Sequence, residues 1–283
     1  MRRWLDRAFL VGTGGCAVLA LTVLLGILAA VVWRGAGAVS WEFLTDGMRQ
    51  VGASGGIFYN VIGTGILLAT ALLVSAPLAV GLALTLGVYV RNSRRRNRLV
   101  MMLYLLNGVP SILIGLFGFV IFGVLLGWGK SWLAGGILLG FMILPTVAVA
   151  LFERIQALPA NTTEAAAGLG LSESQIIWSV ILPQSLSGWL SGSLLGLARA
   201  AGETAPIMFT ATIFAGATWP QGIRESPVLS LPYHIFVLAQ DSFDPAASVR
   251  VWGAALILLF LVFSLSLLAL PLRLRLHEES RHD

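Results

Sequence analysis

The feature that most constrains this chain is a succession of long apolar runs separated by short polar stretches. They extend from Ala8 to Trp33, Ile57 to Val90, Leu99 to about Gly127, Leu133 to about Phe152, Leu186 to about Ala215, and Arg250 to Leu272. A helix needs about 20 apolar residues to cross the hydrocarbon core of a bilayer. Inside that core the backbone must satisfy its own hydrogen bonds, which a helix does within itself. The runs therefore predict an all-α polytopic membrane protein with six transmembrane helices. Composition excludes the other classes. Of 283 residues, 57% are hydrophobic and 11% charged, whereas a soluble domain is about a quarter charged. Disorder requires low hydrophobicity and high net charge. The first run is longer than the roughly 7–15-residue apolar region of a signal peptide, so it reads as a span.

Three stretches organise the chain: 1–56 with the first span and its loop, 57–272 with the other spans, and a tail, 273–283. Pro77 and Pro110 lie inside the second and third runs, and a kink is expected at Pro77. Six spans place both termini on one side. Arg2, Arg3, Arg7, the five arginines of the Arg91–Arg98 loop, Arg154, Arg273, Arg275 and Arg281 would share that side, twelve basic residues against five in the opposite loops. The positive-inside rule then puts both termini on the cytoplasmic side. The net charge of +5 is distributed among loops and forms no basic face, so nucleic acid is not an expected partner. Cys16 is the sole cysteine, and His234, His277 and His282 lack ligand spacing. No disulfide, metal site or catalytic group is expected.

The stretch from about 153 to 185 is long and polar. Asn161 with Glu164, and Ser172 with Gln175, have capping-box spacing. Gly168 and Gly170 supply a turn, and Pro183 is expected to force a break before the fifth span. The prediction is a rigid helical hairpin, with Ile176, Ile177, Val180 and Ile181 on one face of its second helix. Glu164-Ala165-Ala166, then Gly170, then Val180-x-Leu182-Pro183, resembles the EAA loop of ABC importer permeases, with Val180 where isoleucine is usual. The resemblance implies a type I (MetI-like) importer permease fold. It also implies that Glu164, Ala165, Ala166, Gly170, Leu182 and Pro183 couple to a cytoplasmic ATPase.

The fifth run carries two charges, Arg199 and Glu203, one helical turn apart. A charge at mid-membrane costs at least about 2.5 kcal/mol, and pairing rarely makes burial favourable, so the pair needs a reason. A structural bridge between helices is one. The other is function: a guanidinium offers forked donors to an oxyanion, while Glu203 would hold Arg199 when the site is empty and favour release. Gly188, Gly192 and Gly196 form a small-residue stripe that permits close helix approach.

Arg199-Ala-x-Gly-Glu-Thr-Ala-Pro206 resembles the phosphate importer permeases. Gly108-Val-Pro-Ser-Ile-Leu-Ile-Gly-Leu-Phe-Gly118 looks like their third-span signature, and Leu231-Pro-Tyr-His-Ile235 looks like their PstA-type subunit. The resemblance covers about residues 55 to 272. It implies a substrate path that includes Arg199, Glu203 and Thr204. It also implies a PstC-type permease partner, two PstB-type ATPase subunits that bind ATP-Mg, and an extracytoplasmic phosphate-binding protein. The loop from Gly216 to Val249 would face outward and contribute to the dock for that protein. Sulfate or molybdate as cargo stays open, because one cation does not choose among tetrahedral anions. A proton-coupled carrier using Glu203 is a third reading, and a membrane-embedded enzyme a fourth. Gly129-Lys130-Ser131 imitates the end of a phosphate-binding loop, but the required glycine position holds Val124. No ATP site is expected in this chain.

Overall fold

The computed structural model describes residues 2–49, 54–240 and 245–279, with the side chains of 2–8, 160, 245–247 and 271–279 left out. Residues 50–53 and 241–244 of two expected loops, and 280–283 of the expected tail with Arg281, lie outside the described residues.

Helix α1 (Arg2–Ala36) leads to a short α2 (Trp41–Thr45), capped by Ser40, and to a two-residue antiparallel pair, β1 (Met48–Arg49) with β2 (Ser54–Gly55). Helix α3 (Phe58–Leu84) ends in a π-helical turn, Thr85–Tyr89. Pro77 sits inside α3 without ending it. Helices α4 (Ser93–Asn107) and α5 (Ser111–Gly118) follow, and α5 continues as a π-helical stretch to Leu125. Helix α6 (Trp132–Gln156) is the most deeply buried. The hairpin is α7 (Ala160–Gly168) and α8 (Glu173–Ile176). A π-helical turn, Ile177–Ile181, leads into α9 (Leu182–Ala201), followed by α10 (Ala205–Thr210), α11 (Leu231–Leu238) and α12 (Pro245–Glu279).

The packing is sequential: α3 lies on α6, α6 on α9, α9 on α12, and α12 on α1. The central core holds Leu67, Ala71, Leu139, Ile143, Val147 and Ile207. A second cluster around Ala83, Leu151, Ile155, Ile177 and Ile181 fixes the hairpin to the ends of α3 and α6. A third, around Phe43, Ile57, Leu231 and Ala254, closes the opposite end. Large apolar side chains remain exposed on α1, α4, α5 and α12, among them Leu24, Met101, Phe117 and Phe260. That is how a surface meant for lipid or a partner helix looks, and it would be unstable in water.

Several expectations need correction. Among the described residues four helices are long and apolar enough to cross a membrane, and α4 with α5 makes a fifth as a pair bent by 87°. The third expected span is thus broken at Gly108–Pro110. The fifth was expected to run from Leu186 to about Ala215, but α9 stops at Ala201 and a separate α10 follows. Nor is α9 apolar like the others. Its Ser185, Ser191 and Ser193 are buried between neighbouring helices, so it does not need the uniform apolarity of a lipid-facing span. The predicted loop from Gly216 to Val249 contains α11 and the start of α12.

Candidate functional site

Two helix breaks lie side by side. In the first, α4 ends at Asn107, and the N–H groups of Gly108 and Val109 turn back to Leu105 O (3.0 Å) and Leu106 O (3.2 Å). Pro110 then starts α5 in a new direction, because its ring and missing N–H forbid continuation. In the second, Gly202 N–H bonds Arg199 O and Glu203 N–H bonds Ala200 O, each at 3.1 Å, which tightens the end of α9. Pro206 sits in the first turn of α10, where its missing N–H costs nothing. The elements after the two breaks pack together. A Cβ on Gly115 of α5 would come within 2.8 Å of Ala205 O and Pro206 Cα, so glycine is needed there for the close approach.

Arg199 bridges the two breaks. Its Nε lies 3.8 Å from Glu203 Oε1, with the side chains 38% and 19% exposed. Glu203 lies beyond the end of α9, so the pair spans the tightened helix end and not one continuous helix face. Arg199 occupies the last turn of α9, where the helix dipole favours a cation. Nη1 donates to Asn107 Oδ1 at 3.3 Å and Nη2 to Asn107 O at 3.5 Å. Thr146 of α6 donates its hydroxyl to the same Oδ1 at 3.4 Å. Thr204 heads α10, and its carbonyl accepts the Met208 N–H at 3.0 Å. The sequence reading missed Asn107 and Thr146. The available signal was a lone amide in an apolar run, directly before Gly-Val-Pro. The arrangement is a half-exposed guanidinium held by one carboxylate and two neutral acceptors, a cation with donors left for an anion.

The glycine stripe lies against α6. A Cβ on Gly188 would meet Arg154 Cβ at 2.5 Å, on Gly192 Ala150 Cβ at 2.7 Å, and on Gly196 Ile143 Cβ at 3.1 Å. These contacts recur along one face of α6 and fix the depth of α9, hence of Arg199.

At the hairpin, the Ser172 hydroxyl accepts the Gln175 N–H, and the Gln175 side chain accepts the Ser172 N–H, a complete capping box. Gly170 turns the chain with φ +83, a region that side chains with a Cβ avoid. Gly168, by contrast, ends α7 with ordinary helical geometry. The Asn161 cap is not made. Pro159 occupies the cap position with φ −59, so Asn161 falls within the first turn. The expected break at Pro183 is also absent. The π-helical turn runs directly into α9, so Pro183 lies within a continuing helix, just after the widened turn. Ile177 and Ile181 are buried, and Ile176 and Val180 half-buried. Glu164 and Ala165 lie on the exposed side of α7, while Ala166 is buried.

The opposite end is closed by the segment from Ala211 to Leu231. The Ser131 N–H bonds Thr210 O at 2.7 Å, Trp132 N–H bonds Ser226 O at 3.0 Å, and Lys130 Nζ bonds Thr212 O at 2.8 Å. Ser131 also caps α6. Lys130 and Ser131 therefore have structural partners in place of a nucleotide. Burial lowers the Lys130 pKa. His234 of α11 is 2% exposed and stacks on Phe214 with centroids 5.7 Å apart. Burial first, and the nearby Arg250 second, push its pKa down to about 4.

A membrane-embedded bundle with buried helix crossings, a capped hairpin at one end and a cation between two broken helices is the build of a transport subunit. Residues 78–276 match the family described as binding-protein-dependent transport system inner membrane component. The chain belongs to that family and is an ABC transporter permease subunit, a multi-pass membrane protein. Among similar curated proteins, the phosphate transport system permease protein PstA of Haemophilus influenzae is 31% identical over 87% of this chain and 86% of its own length. A probable ABC transporter permease protein of Bacillus subtilis, YqgI, is 27% identical over 89% of this chain and 90% of its own. A solved chain of the MetNI methionine ABC transporter covers 77% of this chain and 94% of its own length with a TM-score of 0.54 at 15% identity. That likeness establishes the MetI-like fold.

Proposed function

We propose that this permease carries inorganic phosphate into a bacterial cell, driven by ATP hydrolysis in a partner. The carrying observation is the half-exposed Arg199 at the meeting of two helix breaks. Phosphate carries several acceptor oxygens and negative charge, which suit the N–H donors that remain on the guanidinium. Glu203 at 3.8 Å keeps the site from becoming a trap, since it re-forms the pair as the anion leaves. Relatives described as phosphate transport permeases favour phosphate over sulfate or molybdate.

In this reading the chain pairs with a second permease of PstC type. The hairpin, with Glu164, Ala165, Ala166 and Gly170 at its tip region and Leu182 and Pro183 at its base, docks on one of two PstB-type ATPase subunits that bind ATP-Mg. The hairpin and both termini lie in the cytoplasm. The closed end, with Trp219 and Ile223 exposed, faces outward toward a phosphate-binding protein. Closure of the ATPase dimer draws the hairpins together. The capping box and the Ile177–Ile181 cluster transmit that displacement to α3, α6 and α9. Glu203 and Thr204 flank Arg199 along the path.

The test is ATP-dependent uptake in vesicles that carry the assembled complex and its binding protein, with labelled phosphate against sulfate and molybdate. Phosphate uptake indifferent to the competitors is expected. Preferred sulfate or molybdate uptake would keep the architecture and replace the cargo. Uptake without ATP would overturn the partner-driven mechanism.

A further inference from the structure

Arg199 is a long side chain at the last turn of a helix, yet its guanidinium is fixed on three sides. Nε faces Glu203 at 3.8 Å, Nη1 bonds Asn107 Oδ1 at 3.3 Å, and Nη2 bonds Asn107 O at 3.5 Å. The main-chain acceptor is free because of how α4 ends. In a continued helix the Asn107 carbonyl would take the N–H of Ser111. The 87° bend carries Ser111 away and leaves that carbonyl without its helical partner. The amide is set from the other side by the Thr146 hydroxyl, 3.4 Å from Oδ1. Asn107 thus ties the corner of the broken span to α6 and to the end of α9. A guanidinium has five N–H donors. Two go to Asn107 and the Nε donor faces Glu203, which leaves one on each terminal nitrogen. Asn107 is neutral, so it holds the guanidinium without cancelling its charge.

We propose that Asn107 is a positioning residue for the transported anion: its side-chain and main-chain carbonyls hold Arg199 in place, its charge uncancelled, so that an N–H donor left on a terminal nitrogen is presented to one oxyanion. The proposal rests on the reading of Arg199 as the anion-binding cation. Holding the guanidinium ready removes the ordering cost that a free arginine would meet on binding. It also links the bend of α4 and α5 to the position of the cation.

The test uses the assembled complex with its binding protein in vesicles, read by labelled anion uptake and by ATP hydrolysis in the same preparation. The wild type identifies the cargo from phosphate, sulfate and molybdate, and the variants are read on the anion it carries, so a wrong cargo and a wrong role for Asn107 are separately visible. Asn107→Ala is expected to lower uptake about tenfold, within the coupling range of contacting residues, while binding-protein-stimulated hydrolysis stays within about twofold of wild type. In an Arg199→Lys background, which lacks the planar pair of donor nitrogens that meets the two acceptors, the same change is expected to cost less than about twofold. Asn107→Asp keeps size and shape but draws the guanidinium into a charged pair, so its uptake is expected to fall at least as far as that of the alanine variant. A mere packing role predicts the reverse pattern: a nearly silent aspartate, and an equal alanine cost in both backgrounds. That pattern, or wild-type uptake by Asn107→Ala, would overturn the proposal.

Discussion

Arg199 and Asn107 stand 92 residues apart in sequence and meet through hydrogen bonds of 3.3 and 3.5 Å. One closes α9 and the other closes α4, so the contact joins two helix ends inside an otherwise apolar bundle. An intramembrane polar contact of this kind is costly unless it serves a purpose. Here the cation keeps donors that no described residue takes.

The depth of Arg199 depends on the glycine stripe. Gly192→Leu would drive a side chain into Ala150 and Val147, since even a Cβ comes within 2.7 Å of Ala150 Cβ and 3.2 Å of Val147 Cα. Overpacking of that sort costs about 1–3 kcal/mol or more. Size-exclusion chromatography of the complex should show lost assembly. Gly168→Ala is the control: a Cβ there meets nothing within 4 Å, and assembly should be unchanged.

The hairpin is rigid because of its turn and cap. Ser172→Ala removes the hydroxyl that accepts the Gln175 N–H, a loss of about 1 kcal/mol in cap stability. Gly170→Ala forces a Cβ into φ +83, at about 1–2 kcal/mol. Transport per ATP hydrolysed should fall in both variants, most in the double variant. Unchanged coupling in the double variant would show that the hairpin does not act as a lever.

His234 makes stability depend on pH. Its pKa is near 4 in the folded protein against an ordinary value of 6.5, so between these values the unfolded chain binds a proton that the folded one refuses. Stability is therefore complete above about pH 6.5 and declines as pH falls toward 4, by about 3 kcal/mol at most. Thermal melts in nanodiscs across that window should show the decline. In His234→Phe, which keeps an aromatic partner for Phe214, this part of the slope should vanish.

Apolar run length alone located α1, α3, α6 and α12, because a lipid-facing helix must be apolar along its length. The same rule misjudged α9, whose serines are covered by neighbouring helices and never meet lipid. Prolines were read less well, since position decides what they do. Pro77 sits within a helix that continues past it and packs on α6, whereas Pro110 follows Asn107 and Gly108 and ends α4 with an 87° change of direction. Pro183 follows the π-helical turn and does not interrupt the helix. At the site, Arg199 and Glu203 were visible as charges in an apolar run. Asn107 was passed over although it stands as a lone amide before Gly-Val-Pro, since the arginine it holds lies 92 residues away. Gly170 was legible because a turn between two helical patterns needs positive φ, while Asn161 lost its cap to the proline before the helix.

The most direct measurement compares ATP-dependent phosphate uptake by vesicles bearing wild-type complex with vesicles bearing equal amounts of Arg199→Ala complex. The account predicts uptake by the wild type and none by the variant, with assembly intact in both. Normal phosphate uptake by the variant would contradict the claim that the anion passes by Arg199.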